Sequence, residues 1–262
     1  MNKIFVFISC LLLCILPAGG INASVPQEPG KPFVCNLSSL AEKEKLVYKA
    51  KFLGISIGTF IIINNGKMML NGQEAYCFEL KVRTLPFFSI LFKTKARYVS
   101  YLDAQEFVVL RHEEYVKGGT LLESAVDFDY KNFTATNKNF INHQENTVKI
   151  PDKILDVLSG SFYLRMMPLA LGDKVDLNIY ADQRIYNYTG RLSSKIKVHV
   201  PHHGKQDAYP FKPYLFLDGK QVIKISAEVF FSTTTPRKAL RATLKTLLGN
   251  VNVILVEGYE SL

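Results

Sequence analysis

The sequence predicts a mainly β fold, a single curved antiparallel sheet or a partly open barrel or half-barrel, carrying one packed helix. Three observations predict it. Apolar and polar side chains alternate along most of the 262 residues, which is the pattern of strands with one buried face. Turn residues interrupt these runs at short intervals, as hairpins require. The aromatic supply of 18 Phe and 13 Tyr, with no Trp, suits pleated half-buried surfaces better than helix bundles. Hydrophobic residues at 48% and charged residues at 21% leave enough apolar area for a core and argue against disordered, collagen-like or polytopic membrane chains.

The first 23 residues stand apart. Lys3, the apolar run 4–16 and the breaker Pro17-Ala18-Gly19-Gly20 lead to Ile21-Asn22-Ala23, the layout of a secretory signal peptide cut after Ala23. The run is too short to cross roughly 30 Å of hydrocarbon. An exported chain, placed in the periplasm or on the envelope after cleavage, is therefore expected. Cys10 and Cys14 would leave with the signal, so that Cys35 and Cys77 remain. In an oxidising compartment this pair could tie the leading segment to the sheet; two unpaired thiols are the alternative.

Residues 24–43 hold three prolines with little periodicity and read as an extended lead-in. From Glu44 to residue 262 one composition regime continues, so one β-rich domain is expected. In 45–53, Leu46, Tyr48, Ala50 and Phe52 oppose Lys45, Lys49 and Lys51. Asn64-Asn65-Gly66 and Asn71-Gly72 are turn signals, and between 76 and 83 Tyr76, Phe78, Leu80 and Val82 oppose Glu79, Lys81 and Arg83. Lys117-Gly118-Gly119 precedes a strand in which Leu122, Val126 and Phe128 oppose Glu123, Asp127 and Asp129. The exception is 151–167: behind a Pro-Asp start, Leu155, Leu158, Phe162 and Met166 fall at helical spacing, giving a helix over 152–166. Gly172-Asp173, the alternation of Ile196, Val198 and Val200 with lysines and His199, Asp218-Gly219, and the alternation of Ile223, Ile225, Val229 and Phe231 restore the sheet. Residues 239–249 fit a helix through Leu240, Leu244 and Leu247, or a strand through Leu240, Ala242 and Leu244; periodicity leaves both open.

Few motifs carry chemistry. Gly54-Ile55-Ser56-Ile57-Gly58 has the form of a nucleophile elbow, but the β-branched run Thr59-Phe60-Ile61-Ile62-Ile63 that follows is a strand where the elbow needs a helix. Glycines that bend or end a strand explain it better. His199, His202 and His203 could hold a metal, although a polar hairpin tip accounts for them without one; His112 and His143 are isolated and read as surface or sheet residues. Glu113 and Glu114 must face opposite ways on a strand, so they do not form an acid/base pair. No catalytic residue, cofactor or metal is assigned. Basic residues form stripes, among them Lys93, Lys95 and Arg97, within a net charge of +9. For an exported chain these would meet an envelope protein or an anionic polymer rather than nucleic acid, unless interspersed acids leave them as a solvated face. The run 85–92, with Phe87, Phe88, Leu91 and Phe92 beside a proline, is core, a flap over an apolar cavity or a membrane-touching loop, and ahead of Lys93 and Lys95 it is where a ligand is sought.

Glu44-Lys45-Leu46-Val47-Tyr48, the stretch Leu53 to Thr59 with Gly54 and Gly58, the string Pro151, Leu155, Asp156, Leu158, Ser159, Gly160, Phe162, Tyr163, Leu164 and Arg165, and Leu171-Gly172-Asp173 together resemble the bacterial family called domain of unknown function 3108. The resemblance runs over about 44–260 and implies an exported envelope protein with one β-rich domain and no assigned activity. It also implies a closing hairpin, which favours a strand over 239–249. Asp156, Ser159, Tyr163 and Arg165 recur in its motif, where they would cap the helix and clamp it to the sheet.

The function expected from these readings is non-enzymatic binding of a lipid-like or apolar ligand between helix and sheet, with Phe87, Phe88, Leu91, Phe92, Leu155, Leu158 and Phe162 as candidate contacts. Docking of an envelope partner through basic strands is the alternative. A hydrolase built on Ser159, Asp156 or the histidine cluster ranks last.

Overall fold

The period-two pattern becomes one long ribbon of strands. The computed structural model describes residues 43–84, 95–118, 121–222, 227–246 and 249–258; the leader, the lead-in, Cys35, Phe87, Phe88, Leu91 and Phe92 lie outside them. Strands β1 (Glu44–Phe52), β2 (Ile55–Leu70), β3 (Gln73–Thr84), β4 (Lys95–Asp103), β5 (Val109–Lys117), β6 (Leu121–Asp129), β7 (Thr134–Asn139) and β8 (Glu145–Lys149) form an antiparallel meander. The two-residue β9 (Leu155–Asp156) leads into helix α1 (Val157–Met166).

The second arm comprises β10 (Lys174–Ala181), β11 (Arg184–Leu192), β12 (Ile196–Val200), β13 (Gly204–Leu217), β14 (Lys220–Gln221), β15 (Ala227–Ser232), β16 (Ala239–Thr246) and β17 (Gly249–Glu257). β17 pairs with β1, joining both arms into a 17-stranded sheet. The sheet curls nearly onto itself: Val109 at the start of β5 donates its N–H to Ile154 O at 3.1 Å, and Phe128 of β6 meets Tyr180 of β10 edge to face at 5.1 Å. β6, β7 and β8 continue past this contact, so the ribbon stays open.

The concave face is the core. Leu46, Tyr48, Phe60, Phe78, Leu80 and Tyr98 point inward from β1 to β4, and Tyr188, Phe211, Phe231, Leu244 and Val253 from the other arm. Helix α1 sits inside this curve with residues from every side buried, including Leu158, Phe162, Leu164 and Met166; a helix buried all round is a plug, not a cover. The Phe162 ring stacks on Phe78 with centroids 3.9 Å apart.

The structure refines several expectations. The helix begins at Val157, later than 152, because Leu155 and Asp156 pair parallel with Ile179 and Tyr180 of β10 and Asp156 caps the first turn. The short parallel pair departs from a wholly antiparallel sheet. Asn64-Asn65-Gly66 is a bulge inside β2 and not a turn: the Gly66 N–H donates to Asn64 Oδ1 at 2.9 Å, and the register with β3 jumps between Asn64 and Lys67. Asn71-Gly72 is a hairpin turn with both φ values positive, 50° and 85°. Asp182-Gln183 makes an equivalent turn at φ 48° and 59° without a glycine, so no turn signal marked it. Residues 239–246 are strand β16.

Candidate functional site

Both ends of α1 carry buried polar groups. At the N-terminus, Asp156 has extended backbone angles and its Oδ1 accepts the Ser159 N–H at 2.6 Å, while the Asp156 N–H donates back to Ser159 Oγ at 2.9 Å. This reciprocal cap satisfies two helix N–H groups that would otherwise be orphaned. Ser159 Oγ also bonds Asp156 Oδ1 at 2.6 Å, and the second carboxylate oxygen, Oδ2, lies 2.7 Å from His112 Nδ1 on β5. His112 is thus a sheet residue, one of the two readings its isolation allowed, and its half-buried ring anchors α1 to β5. Burial disfavours its charge, but the Asp156 carboxylate outweighs this and raises its pKa above 6.5. Burial likewise opposes ionisation of Asp156, and the charge of His112 together with the bonds from His112 and Ser159 reverses that and lowers its pKa.

Serine, histidine and aspartate therefore meet, but in the wrong order for nucleophilic catalysis. An activated serine needs the imidazole between hydroxyl and carboxylate. Here the carboxylate is central, and the hydroxyl is engaged in the cap. The arrangement fastens α1 to β5.

At the C-terminal end, Arg165 is 6% exposed. Its Nη2 donates to Glu44 Oε1 and Oε2 at 2.9 and 2.7 Å, and its Nε to Arg237 O at 2.6 Å, which ties α1 to β1 and to the segment before β16. Nη1 is buried without a hydrogen-bond partner. Arg237 is equally buried and donates to Met167 O and Leu169 O, the carbonyls just past the helix, at 2.6 and 2.7 Å.

Beside Arg165 an apolar cleft of about 50 Å³ opens between α1 and the sheet. Leu46, Tyr48, Phe60, Val229, Phe231 and Ala242 form its walls, with Leu164 and Arg165 on the helix side. Burial holds the Tyr48 phenol protonated, well above its ordinary range.

Of the candidate contacts, Leu155, Leu158 and Phe162 are buried packing residues and none borders the cleft. Tyr48 and Arg165 of the motif do border it; Asp156 and Ser159 form the cap. Tyr163 meets Phe107 edge to face at 6.3 Å. Gly54, φ 85°, completes the β1–β2 turn, whereas Gly58 lies inside β2 where an added Cβ would stand 3.1 Å from Arg83 O. Pro151 precedes the helix approach and Gly172 turns at φ 87° before β10. Cys77 is buried on β3. His202, φ 65°, and His203 lie in the β12–β13 turn, and no group of metal-ligating side chains is found among the described residues. Acids accompany the basic stripes: Arg97 pairs with Glu79 at 2.5 Å, and Lys195 and Lys197 share Asp207 at 2.9 and 2.6 Å.

A curled open sheet plugged by one helix defines a β-barrel-like protein. The family model for Protein of unknown function (DUF3108) matches residues 47–256, and the chain belongs to that family. Among solved structures it is similar to a Brucella abortus β-barrel-like protein of domain of unknown function DUF1849, at TM-score 0.52 and 9% identity over 82% of this chain and 95% of that one. A Bacteroides fragilis protein described as exported, with a YmcC-like fold, aligns at TM-score 0.35 and 8% identity over 85% of this chain and 96% of the other. Comparison with curated proteins finds no match. No helix among the described residues is long and apolar enough to cross a membrane.

Proposed function

We propose that this protein is an exported, non-enzymatic envelope binding protein that takes an alkyl chain into the cleft between α1 and the sheet. The observation that carries the reading is the cleft: side chains from β1, β2, β15, β16 and β17 leave apolar walls facing an opening beside a helix that is otherwise packed. Apolar walls exposed to an opening favour an apolar occupant. The leader-like layout of residues 1–23 supports export.

The size limits the ligand. A cleft of about 50 Å³ holds about three to five water-sized groups at roughly 10–15 Å³ each. That suits one end of a single chain and excludes enclosure of a whole diacyl lipid. A fluorescent alkyl probe should bind the purified protein saturably and be displaced by decanol. Ala242→Phe, which places a ring in the cleft, should abolish that binding while circular dichroism stays unchanged. Equal binding by the variant, or no binding by the parent, would refute the reading.

A further inference from the structure

We infer that the cleft selects a single-chain amphiphile with an anionic head, and that Arg165 Nη1 is the group that receives the head. This deepens the proposed alkyl-binding function and rests on it. The first observation is the incomplete bonding of Arg165. Two of its three guanidinium nitrogens are taken, Nε by Arg237 O and Nη2 by Glu44. Nη1 is not, although Arg165 is 6% exposed and lines the cleft. Buried N–H donors without acceptors are rare because each forfeits the bonds water would have made. An acceptor entering the cleft would remove that deficit.

The second observation is charge. Arg165 and Arg237 are both buried, and they are linked in both directions: Arg165 Nε donates to Arg237 O, and the Arg237 N–H donates to Arg165 O at 2.9 Å. Glu44 is the one carboxylate bonded to this pair among the described residues; the Arg237 guanidinium donates to the carbonyls of Met167 and Leu169, and its Nε is buried without a partner. Two buried guanidinium charges are thus joined through the backbone here, and only that of Arg165 has a bonded carboxylate, in surroundings where Coulomb interactions are strong. A carboxylate or similar anion would complete the balance through charge-assisted bonds, which a neutral alcohol cannot match. The Tyr48 phenol on the same cleft offers a second donor. The restricted volume agrees, since a head group and its first methylenes occupy about what the cleft offers, with the rest of the chain lying outside.

The test uses the full chain and three probes of equal chain length, decanoate, decanol and decyltrimethylammonium, each competed against the fluorescent alkyl probe near neutral pH. Decanoate should bind at least about tenfold more tightly than decanol, the span of one charge-assisted bond, and decyltrimethylammonium should bind more weakly than either. Glu44→Gln removes the competing carboxylate while leaving an amide to fill its place. It should tighten decanoate several-fold and leave decanol unchanged, an asymmetry that loss of packing would not produce. Equal affinity for decanoate and decanol would overturn the anionic head while leaving the alkyl cleft standing. A Glu44→Gln protein that folds, by its circular dichroism, and shows no gain for decanoate would overturn the assignment to Arg165. Binding of none of the three would refute the cleft itself.

Discussion

Asp156 performs three tasks with one carboxylate: it caps α1, accepts from Ser159 and holds His112. Asp156→Ala should therefore cost more than the ~1 kcal/mol of an ordinary cap, about 2–4 kcal/mol, because a buried imidazole loses its partner as well; chemical denaturation measures it. Ser159→Ala keeps the carboxylate and should cost about 1 kcal/mol. Neighbouring Glu114 adds a pH dependence. Burial pushes its pKa from 4.5 up to about 7, partly opposed by His112 and by Ser124 Oγ at 3.4 Å. A carboxyl raised on folding favours the native state while protonated, so its contribution is lost as pH climbs from 4.5 through about 7. His112, also raised, contributes below 6.5 and loses its share as pH rises past its folded value. Asp156, lowered, contributes above 3.8 and loses its share only in stronger acid. Thermal melting points should accordingly fall as pH rises from about 4.5 through about 7, and Glu114→Gln should flatten that fall. No local pattern marks these partners: His112 and Asp156 are 44 residues apart, and Glu44 and Arg165 are 121 apart. A period-two pattern says which face a side chain takes, and it does place His112 and Glu114 together, opposite Glu113. It cannot say which distant residue the curl will bring against them.

At the scale of elements, alternation was read well wherever one face of a strand is wet. β1 buries Leu46, Tyr48 and Ala50 and leaves Phe52 half-buried, β3 buries Tyr76, Phe78, Leu80 and Val82, β15 buries Val229 and Phe231, and the Asn71-Gly72 hairpin stands where its turn residues lie. Failures came where local chemistry competes with the ladder. Asn64 bonds the backbone two residues on and bulges a strand that its dipeptide seemed to end. Leu155 fits helical spacing, yet pairing with β10 takes it before the cap begins. Two substitutions test element packing. Phe162→Ala deletes the ring stacked on Phe78 at the centre of the concavity and should cost about 3–5 kcal/mol. Gly190→Ala, on β11, would place a methyl 2.3 Å from the Phe211 ring and 2.8 Å from Lys212 O. The backbone oxygen cannot step aside, so about 1–3 kcal/mol of destabilisation is expected in an equilibrium unfolding experiment.

Across the whole molecule, the sheet is unevenly guarded. β3 lies between β2 and β4 with most of its residues buried, whereas β8 pairs on one edge only and four of its five residues are exposed. Amide exchange should begin in 145–149 and end in β3, with protection differing by orders of magnitude. The curl itself was foreseen as a curved sheet or half-barrel, because a ribbon this long with one apolar face must wrap that face around something. What fills it is a helix buried on every side, one of the two placements expected, packed on the sheet or plugging it, between which periodicity alone does not decide.

The seam between β1 and β17 has one more implication. Tyr48 faces Leu255, and Phe52 faces Val251, so the earliest and latest ladders of the domain are knitted to each other. Without the β1–β17 pairing, the meander and the second arm are two half-shells with greasy linings that meet on the Phe128–Tyr180 side and are open on the other. A molecule that has not yet formed this seam leaves those linings in water, so the docking of β17 on β1 is the step that covers them.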